Sequence, residues 1–388
     1  MMAAGMSRIF DLLSKPARDL GTMSVPSETH AALERSSQLI KLDSNENPFG
    51  PSALAIDALR SALGQVSSYP DDDCSGLRLR LAAHHAVPPE QVLVAAGSTA
   101  LLSLLCQTLL APGLNAVTSE RSFVVYSMAV QAAGARLIEA PMRNDSFDLE
   151  AILAAIDSQT RIIFLANPNN PTGTMLEAEV VERFLAQVPG HVVVVLDEAY
   201  YEFALHFAAL RGAAYSRSLD YLSQGASVVV LRTFSKAYGL AGLRVGYGLG
   251  AADLMGYCAR MRNTFSVSSV AQAAALAALD DQIHIQRVVE NNAQQSRDLT
   301  RALETLGYCV VPTSANFLFC DVGGDASAFA KRLHDEGVAV RPLEAWGAPN
   351  HIRVTIGTVE QNQAFLKAVR QLGSGNPTPG FESSSSAP

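Results

Sequence analysis

Residues 192–203 read VVVVLDEAYYEF, and this stretch decides the fold class. Five apolar residues in a row are typical of a strand that is buried on both faces, because a strand with one solvent-facing side would alternate apolar and polar positions. The run ends in two acids, Asp197 and Glu198. The stretch therefore predicts a parallel sheet covered by helices on both faces, with acidic side chains at the carboxyl end of one buried strand.

The same alternation of strand and helix patterns extends outward from this stretch. An apolar helix through Leu101, Leu105 and Leu109 follows the first predicted strand. In an open parallel sheet, ligands bind beyond the carboxyl ends of the strands, so the residues that end each strand are the candidates for chemistry. The predicted strands of this α/β domain are 91–95, 161–166, 192–196, 228–231 and 245–249.

The pattern changes after about residue 275, where a long helix begins. It is followed by short strands and helices, which together predict a smaller α+β domain. The predicted elements are a strand at 316–320, a helix at 326–336, strands at 338–340 and 352–356, and a closing helix.

The composition indicates an enzyme that acts on a small-molecule substrate. The chain has 388 residues, 48% of them hydrophobic and 17% charged, with a formal charge of −8. This is the profile of a compact enzyme, and it gives no basic footprint for nucleic acid or anionic lipid. The five cysteines are widely spaced without a C-x-x-C pair, so we expect buried thiols, no metal site and a cytoplasmic location. No run approaches the roughly 20 apolar residues of a membrane span.

Two strand ends carry residues whose chemistry is open to more than one interpretation. Asp197 is either a salt-bridged structural acid or the partner of a buried cation, because a lone buried charge is unfavourable. Lys236 lies in the glycine-rich segment TFSKAYGLAGLRVG, close in sequence to Arg244. It is either an anion-binding lysine or an amine nucleophile whose pKa is lowered by burial and nearby cations.

Two further turns favour the interpretation of Lys236 as an amine nucleophile. Gly97, Ser98 and Thr99 precede a helix, where free backbone N–H groups form an anion site, and NPNNPTG at 167–173 is a double turn that holds an amide at the sheet edge. A phosphate site, an amide, an acid and an activated lysine on successive strand ends together match a phosphorylated aromatic aldehyde, pyridoxal 5′-phosphate.

The joint set of motifs resembles the fold-type I pyridoxal-phosphate aminotransferases of class I/II, most closely their histidinol-phosphate aminotransferase branch. The resemblance covers about residues 40–370. It implies a large domain with a mainly parallel seven-stranded sheet between helices, and a homodimer with shared active sites. The motifs that carry it are LDSNENPFGPS, SYPDDD, NPNNPTG, DEAYYEF, TFSKAYGLAGLRVG, VRPLEAWGAPN and HIRVTIGT.

The resemblance also implies roles for individual residues. Lys236 would form the Schiff base and shuttle the proton, Asp197 would pair with the pyridinium, and Tyr200 would donate to the phenolic oxygen. The remaining expected coenzyme contacts are Asn170, Ser98, Thr99, Ser235, Arg244, the stacking ring of Phe123 and, from the other subunit, Tyr69; the expected substrate contacts are Arg353, Arg341 and Asn45.

With this resemblance, we predict an N-terminal arm at 1–40, a small domain at 41–65 and 275–372, a large coenzyme-binding domain at 66–274, and a flexible tail at 373–388. The leading expected reaction is transfer of an amino group from L-histidinol phosphate to 2-oxoglutarate. Alternatives are an aminotransferase for an aromatic or specialised amino acid, favoured by Trp346 and Phe123, and a decarboxylase on the same scaffold. A nicotinamide enzyme is disfavoured, because Gly246, Gly248 and Gly250 lack the G-x-G-x-x-G spacing.

Overall fold

The structure is a computed structural model that describes residues 14–19 and 39–373. Most of the predicted N-terminal arm and nearly all of the predicted tail therefore lie outside the described residues. Within the described part of the chain, no helix combines the length and the apolar composition needed to cross a membrane.

A seven-stranded sheet forms the centre of the larger unit, as predicted. All of its strand pairs are parallel except those made by Gly246–Leu249, which runs antiparallel to both of its neighbours. In spatial order the strands are Val92–Ala95, Gly246–Leu249, Val228–Thr233, Val193–Asp197, Thr160–Ala166, Asn115–Ser119 and Arg136–Ala140.

The central strand confirms the inference from the apolar run. Val194, Val195 and Leu196 are at most 3% exposed, so consecutive side chains are buried on opposite faces of the sheet. Helices pack on both faces of the sheet and bury these side chains. They are Ser75–His85, Ser98–Leu109, Val125–Ala132, Leu149–Ala154, Ala178–Leu185, Tyr201–Arg211, Ser218–Ser223, Ala252–Met261 and Ser269–Asp280.

The smaller unit is built on a four-stranded antiparallel sheet in the order Cys309–Val311, Phe317–Asp321, Ala348–Thr355, Arg341–Leu343. A second, two-stranded sheet joins Ile40–Lys41 in parallel to Val338–Ala339. The helices of this unit are Gln282–Thr305, Ala326–Asp335 and Val359–Leu372. The helix predicted after residue 275 is thus two helices, Ser269–Asp280 and Gln282–Thr305, separated at Asp281, whose side chain caps the second.

Short elements complete the described chain: the helices Lys15–Asp19 and Ala53–Ala62, the hairpin of Met142–Arg143 with Ser146–Phe147, and the 3₁₀ turns Leu63–Gln65, Pro89–Gln91, Ala241–Leu243 and Glu344–Trp346. The proposed domain boundaries remain a prediction. Leu42 lies in the apolar core of the smaller unit and Ala55 in that of the larger one. This packing favours a boundary between these two residues.

Candidate active site

A cavity of about 350 Å³ lies at the carboxyl ends of the sheet strands, between the two units. It brings together residues that are up to some 300 positions apart in the chain. The predicted site residues that line it are Asn45, Ser98, Thr99, Phe123, Asn170, Asp197, Tyr200, Ser235, Lys236, Arg244, Arg341 and Arg353.

Asp197 ends its strand at the base of this cavity and is buried. The Tyr126 hydroxyl donates to Oδ2 at 2.9 Å and the backbone N–H of Ala199 to Oδ1 at 3.2 Å. Burial raises the pKa of Asp197 to about 6, although both hydrogen bonds lower it. Within the described residues these donors are neutral, so a cationic ring nitrogen brought by a ligand would supply the charge partner that the carboxylate lacks.

Lys236 follows the neighbouring strand Val228–Thr233 and projects into the same cavity. Its Nζ donates to the carbonyl oxygens of Asn45 at 3.0 Å and Ser44 at 3.2 Å. Desolvation, with a smaller contribution from the nearby Arg353, lowers the pKa of Lys236 to about 7. Near neutral pH a large fraction of this amine is therefore unprotonated, which is the nucleophilic form.

An anion cradle lies at the start of the helix Ser98–Leu109. The Arg244 Nη1 donates to the Ser235 hydroxyl at 3.2 Å. A Cβ on Gly97, whose φ is +84°, would lie 2.6 Å from the Arg244 Nη2, so only glycine lets the guanidinium approach the helix N-terminus. Helix N–H groups, the hydroxyls of Ser98, Thr99 and Ser235, and the Arg244 guanidinium all line this end of the cavity, which suits a phosphate group.

Tyr200 and Asn170 lie between the acid and the small unit. The Asn45 amide donates to the Tyr200 hydroxyl at 3.0 Å, and Arg353 Nη1 donates to Asn170 Oδ1 at 2.6 Å. Burial raises the pKa of Tyr200, so its phenol stays neutral and can donate a proton in a hydrogen bond. Asn45, predicted to contact substrate, orients Tyr200 in this structure.

Arg341 and Arg353 are directly opposite each other on adjacent antiparallel strands. Arg353 is 6% exposed, whereas the Arg341 side chain is 42% exposed and lies nearer the mouth. Phe123 and Trp346 also line the cavity. Two guanidiniums and two aromatic rings therefore face the space beyond the coenzyme residues.

Tyr69 is the predicted coenzyme contact that the fold does not bring into the cavity. Its side chain is 82% exposed and its ring stacks on that of Phe265, with the centroids 4.5 Å apart. A single chain thus leaves Tyr69 on an outer surface.

Tyr126 and Asp43 belong to the site but were not predicted from the sequence. Tyr126, the hydrogen-bond donor to Asp197, is fully buried on the helix Val125–Ala132. Phe123 lies three residues before Tyr126 in the turn that leads into this helix, and this closeness in sequence could have indicated that both rings belong to the same site. Asp43, which contacts Arg341, lies next to Ser44 in a segment where only Asn45 was singled out.

Glu198, the second acid of the decisive stretch, has a structural role. Its carboxylate forms a buried ion pair with Arg232, whose Nη2 lies 2.8 Å from Glu198 Oε2. The Arg232 guanidinium also lies 3.4 Å from the ring centroid of Tyr201. Both side chains are at most 4% exposed, so removal of either one would leave the other as an uncompensated buried charge. The pair links the ends of two adjacent strands beside Asp197. Because Arg232 pairs with Glu198, the Asp197 carboxylate remains available to a ligand.

The fold and this cavity define an enzyme that uses pyridoxal 5′-phosphate. Residues 37–369 match the family described as "Aminotransferase class I and II", and the chain belongs to that family. It is a pyridoxal-phosphate-dependent aminotransferase with the fold-type I architecture.

Comparisons with individual proteins agree with this assignment. The chain is 46% identical over 334 residues to "Histidinol-phosphate aminotransferase 2" of Pseudomonas aeruginosa, covering 86% of this chain and 89% of the relative. It is 42% identical to the protein of the same name from Pseudomonas fluorescens, covering 95% and 99%. The solved histidinol-phosphate aminotransferase of Sinorhizobium meliloti, in complex with pyridoxal-5′-phosphate, superposes with a TM-score of 0.82 at 29% identity, covering 95% and 100%.

Proposed function

We propose that the enzyme transfers the amino group of L-histidinol phosphate to 2-oxoglutarate. The observation that carries this proposal is the pair of opposed arginines, Arg341 and Arg353, in the wall of the cavity that holds Lys236. Guanidinium groups bind phosphate and carboxylate through paired N–H donors, so the same two side chains suit both substrates. The names of the relatives support the same donor.

We propose the following roles for the residues around the coenzyme. When bound, pyridoxal phosphate withdraws electrons from the bonds to the substrate α-carbon. Asp197 would keep a proton on the ring nitrogen, and Arg244, Ser235, Ser98 and Thr99 would hold the phosphate. Asn170 and Tyr200 would donate to the phenolic oxygen, and Phe123 would cover the ring face.

Lys236 would hold the coenzyme covalently and, once released by substrate, move the proton at the α-carbon. Its lowered pKa supports this role, because a base works best when its pKa is near the operating pH. The carbonyl oxygens of Ser44 and Asn45 keep its Nζ directed across the cavity.

A panel of amino donors with 2-oxoglutarate, scored for glutamate and for carbon dioxide, tests the substrate. We expect kcat/KM for L-histidinol phosphate to exceed that for every amino acid by about 100-fold or more, since an anion placed on a buried arginine contributes several kcal/mol. Glutamate formed from aromatic donors alone would instead support an aromatic aminotransferase. Carbon dioxide without glutamate would indicate a decarboxylase.

We further propose a homodimer in which Tyr69 reaches the coenzyme phosphate of the other subunit. Tyr69 and Phe265 line an open surface cavity of about 640 Å³, and the neighbouring Val66 is 64% exposed. An exposed apolar patch of this kind is typical of a subunit interface.

Mixing two inactive variants tests the shared site. A dimer of Lys236→Ala with Tyr69→Ala chains has one site with both residues intact, so random exchange should restore about a quarter of wild-type activity. Each variant alone should be far less active, and Tyr257→Ala, at another exposed tyrosine, serves as the control. A fully active monomer in light scattering would contradict the shared site.

Two further assignments, of location and of domain boundaries, complete the proposal. We propose a cytoplasmic location, which the five free cysteine thiols support, since reducing compartments keep thiols unpaired. We also propose a division into two domains; it follows the predicted small domain at 41–65 and 275–372 and large domain at 66–274, except that the first boundary falls between Leu42 and Ala55 and the helix Ser269–Asp280 belongs to the large domain. The parallel pairing of Ile40–Lys41 with Val338–Ala339 supports the joining of the two segments of the small domain.

A further inference from the structure

Asn45 lies where the two units meet and forms hydrogen bonds to both. It is 1% exposed, and its φ of +56° places it in the left-handed region, which asparagine adopts more readily than most residues other than glycine. On the side of the larger unit, its Nδ2 donates to the Tyr200 hydroxyl at 3.0 Å, and its carbonyl oxygen accepts from Lys236 Nζ at 3.0 Å. Asn45 therefore contacts two of the groups that are proposed to act on the coenzyme.

The smaller unit holds the Asn45 side chain in one orientation. The Asn45 backbone N–H donates to the Thr355 hydroxyl at 2.9 Å, and that hydroxyl donates in turn to Asn45 Oδ1 at 3.4 Å. The Asn316 amide donates to the Asn45 carbonyl oxygen at 3.1 Å. Because Oδ1 faces a hydroxyl donor, Nδ2 is the atom that remains to face Tyr200. The position of the smaller unit thus determines where this amide donor lies.

The amide changes the hydrogen bonding of the Tyr200 hydroxyl. A phenol has one proton to donate, and because the Tyr200 oxygen accepts from Asn45, that proton can be donated toward the cavity. Burial raises the pKa of Tyr200, whereas Arg353 and the hydrogen bond from Asn45 lower it. A hydrogen bond that a hydroxyl accepts strengthens the one that it donates. Asn45 thus makes Tyr200 a stronger donor to an oxygen of the coenzyme.

Charged side chains also face Tyr200 from three elements. Asp197 ends the strand that precedes it, Arg353 lies on the strand Ala348–Thr355, and Lys236 Nζ is 5.7 Å from the Tyr200 ring centroid. Asn45 itself is uncharged. Its replacement by another uncharged residue therefore changes the hydrogen bonding of Tyr200 while these three charged groups remain.

We propose that Asn45 is a positioning residue through which the smaller unit sets the proton affinity of the bound coenzyme. A hydrogen bond from Tyr200 to the phenolic oxygen stabilises the less protonated form of the coenzyme and so lowers its affinity for a proton. A movement of the smaller unit that lengthens the bond between Asn45 and Tyr200 would raise this affinity. The inference rests on the proposed contact of Tyr200 with the coenzyme and is independent of the identity of the amino donor.

A pH titration of the coenzyme absorbance in the holoenzyme measures this proton affinity. Tyr200→Phe removes the donor and should raise the affinity about tenfold or more, as the loss of a hydrogen bond to a charged oxygen predicts. Asn45→Gly keeps the left-handed backbone and removes the amide. It should raise the affinity about twofold to fourfold, since neighbouring hydrogen bonds strengthen one another only in part. In the Tyr200→Phe enzyme, Asn45→Gly should have no further effect.

Thr355→Val tests the part played by the smaller unit. The change removes the hydroxyl that orients Asn45 and keeps the shape of the buried side chain, so we expect a rise in proton affinity in the same direction as that of Asn45→Gly. Thr313→Val is the matched control. Thr313 is also buried and its hydroxyl also accepts from a backbone N–H, that of Ala315, but it does not line the cavity. This variant should titrate like the wild type.

An unchanged proton affinity in Asn45→Gly, with a raised one in Tyr200→Phe, would overturn this inference alone. If Tyr200→Phe has no effect, the proposed contact of Tyr200 with the coenzyme fails as well. Equal effects of Thr355→Val and Thr313→Val would refute the part played by the smaller unit. Asn45→Asp replaces Asn45→Gly if the latter loses its coenzyme, and the part of its effect that disappears in the Tyr200→Phe enzyme then measures the contribution of the amide.

Discussion

Replacing Lys236 with alanine is expected to reduce transamination by about 10⁴-fold or more, because the change removes both the covalent attachment and the base that moves the α-proton. The coenzyme should still bind with reduced affinity, since the phosphate contacts proposed for Arg244 and Ser235 would remain. Single-turnover kinetics with the amino donor, together with an absorbance titration of the coenzyme, measure the two effects.

Borohydride reduction of the wild-type holoenzyme should fix the coenzyme on Lys236 alone among the five lysines, as mapped by mass spectrometry. Lys331→Ala is the matched control, because that side chain is 75% exposed and pairs with Asp335 away from the cavity. A label on another lysine, or an active Lys236→Ala enzyme, would show that the site is assigned to the wrong residue.

Replacing Asp197 with asparagine is expected to lower kcat by about 100-fold to 1000-fold, comparable to the loss of one preorganised electrostatic contact in other enzymes. Asparagine preserves the shape of the side chain but removes the charge that would hold a proton on the ring nitrogen. Stopped-flow measurement of the half-reaction with donor separates this loss from any change in substrate binding.

Tyr126→Phe is a milder change at the same carboxylate and serves as a comparison for Asp197→Asn. It retains the carboxylate and removes one hydrogen bond at 2.9 Å, so we expect about a tenfold decrease in kcat. Asp253→Asn, at an exposed acid, should leave kcat unchanged. An Asp197→Asn enzyme within tenfold of wild type would exclude the pairing with the ring nitrogen.

The coenzyme-binding edge could be predicted from the sequence because local patterns specify it. Buried parallel strands have continuous apolar runs, and their carboxyl ends meet at one edge of the sheet. Asp197 ends such a run, and Lys236 and Asn170 follow theirs in the next turn, so the strand pattern predicts that the three lie near one another. The seven-stranded sheet was implied by the family resemblance, but two strands, Asn115–Ser119 and Arg136–Ala140, were not located individually. The second is a half-exposed edge strand, and its apolar pattern is weak.

The sequence by itself determined the chemistry of the coenzyme site, whereas the environment of the substrate depended on tertiary structure. Tyr126 reaches Asp197 across 71 positions, and Asp43 meets Arg341 across 298. Such contacts depend on the register between distant segments, here the pairing of Ile40–Lys41 with Val338–Ala339, and no local periodicity encodes that register. Local apolar patterns determine which strands form and where they end, but only the packing of the whole chain decides which side chains from remote segments share a cavity.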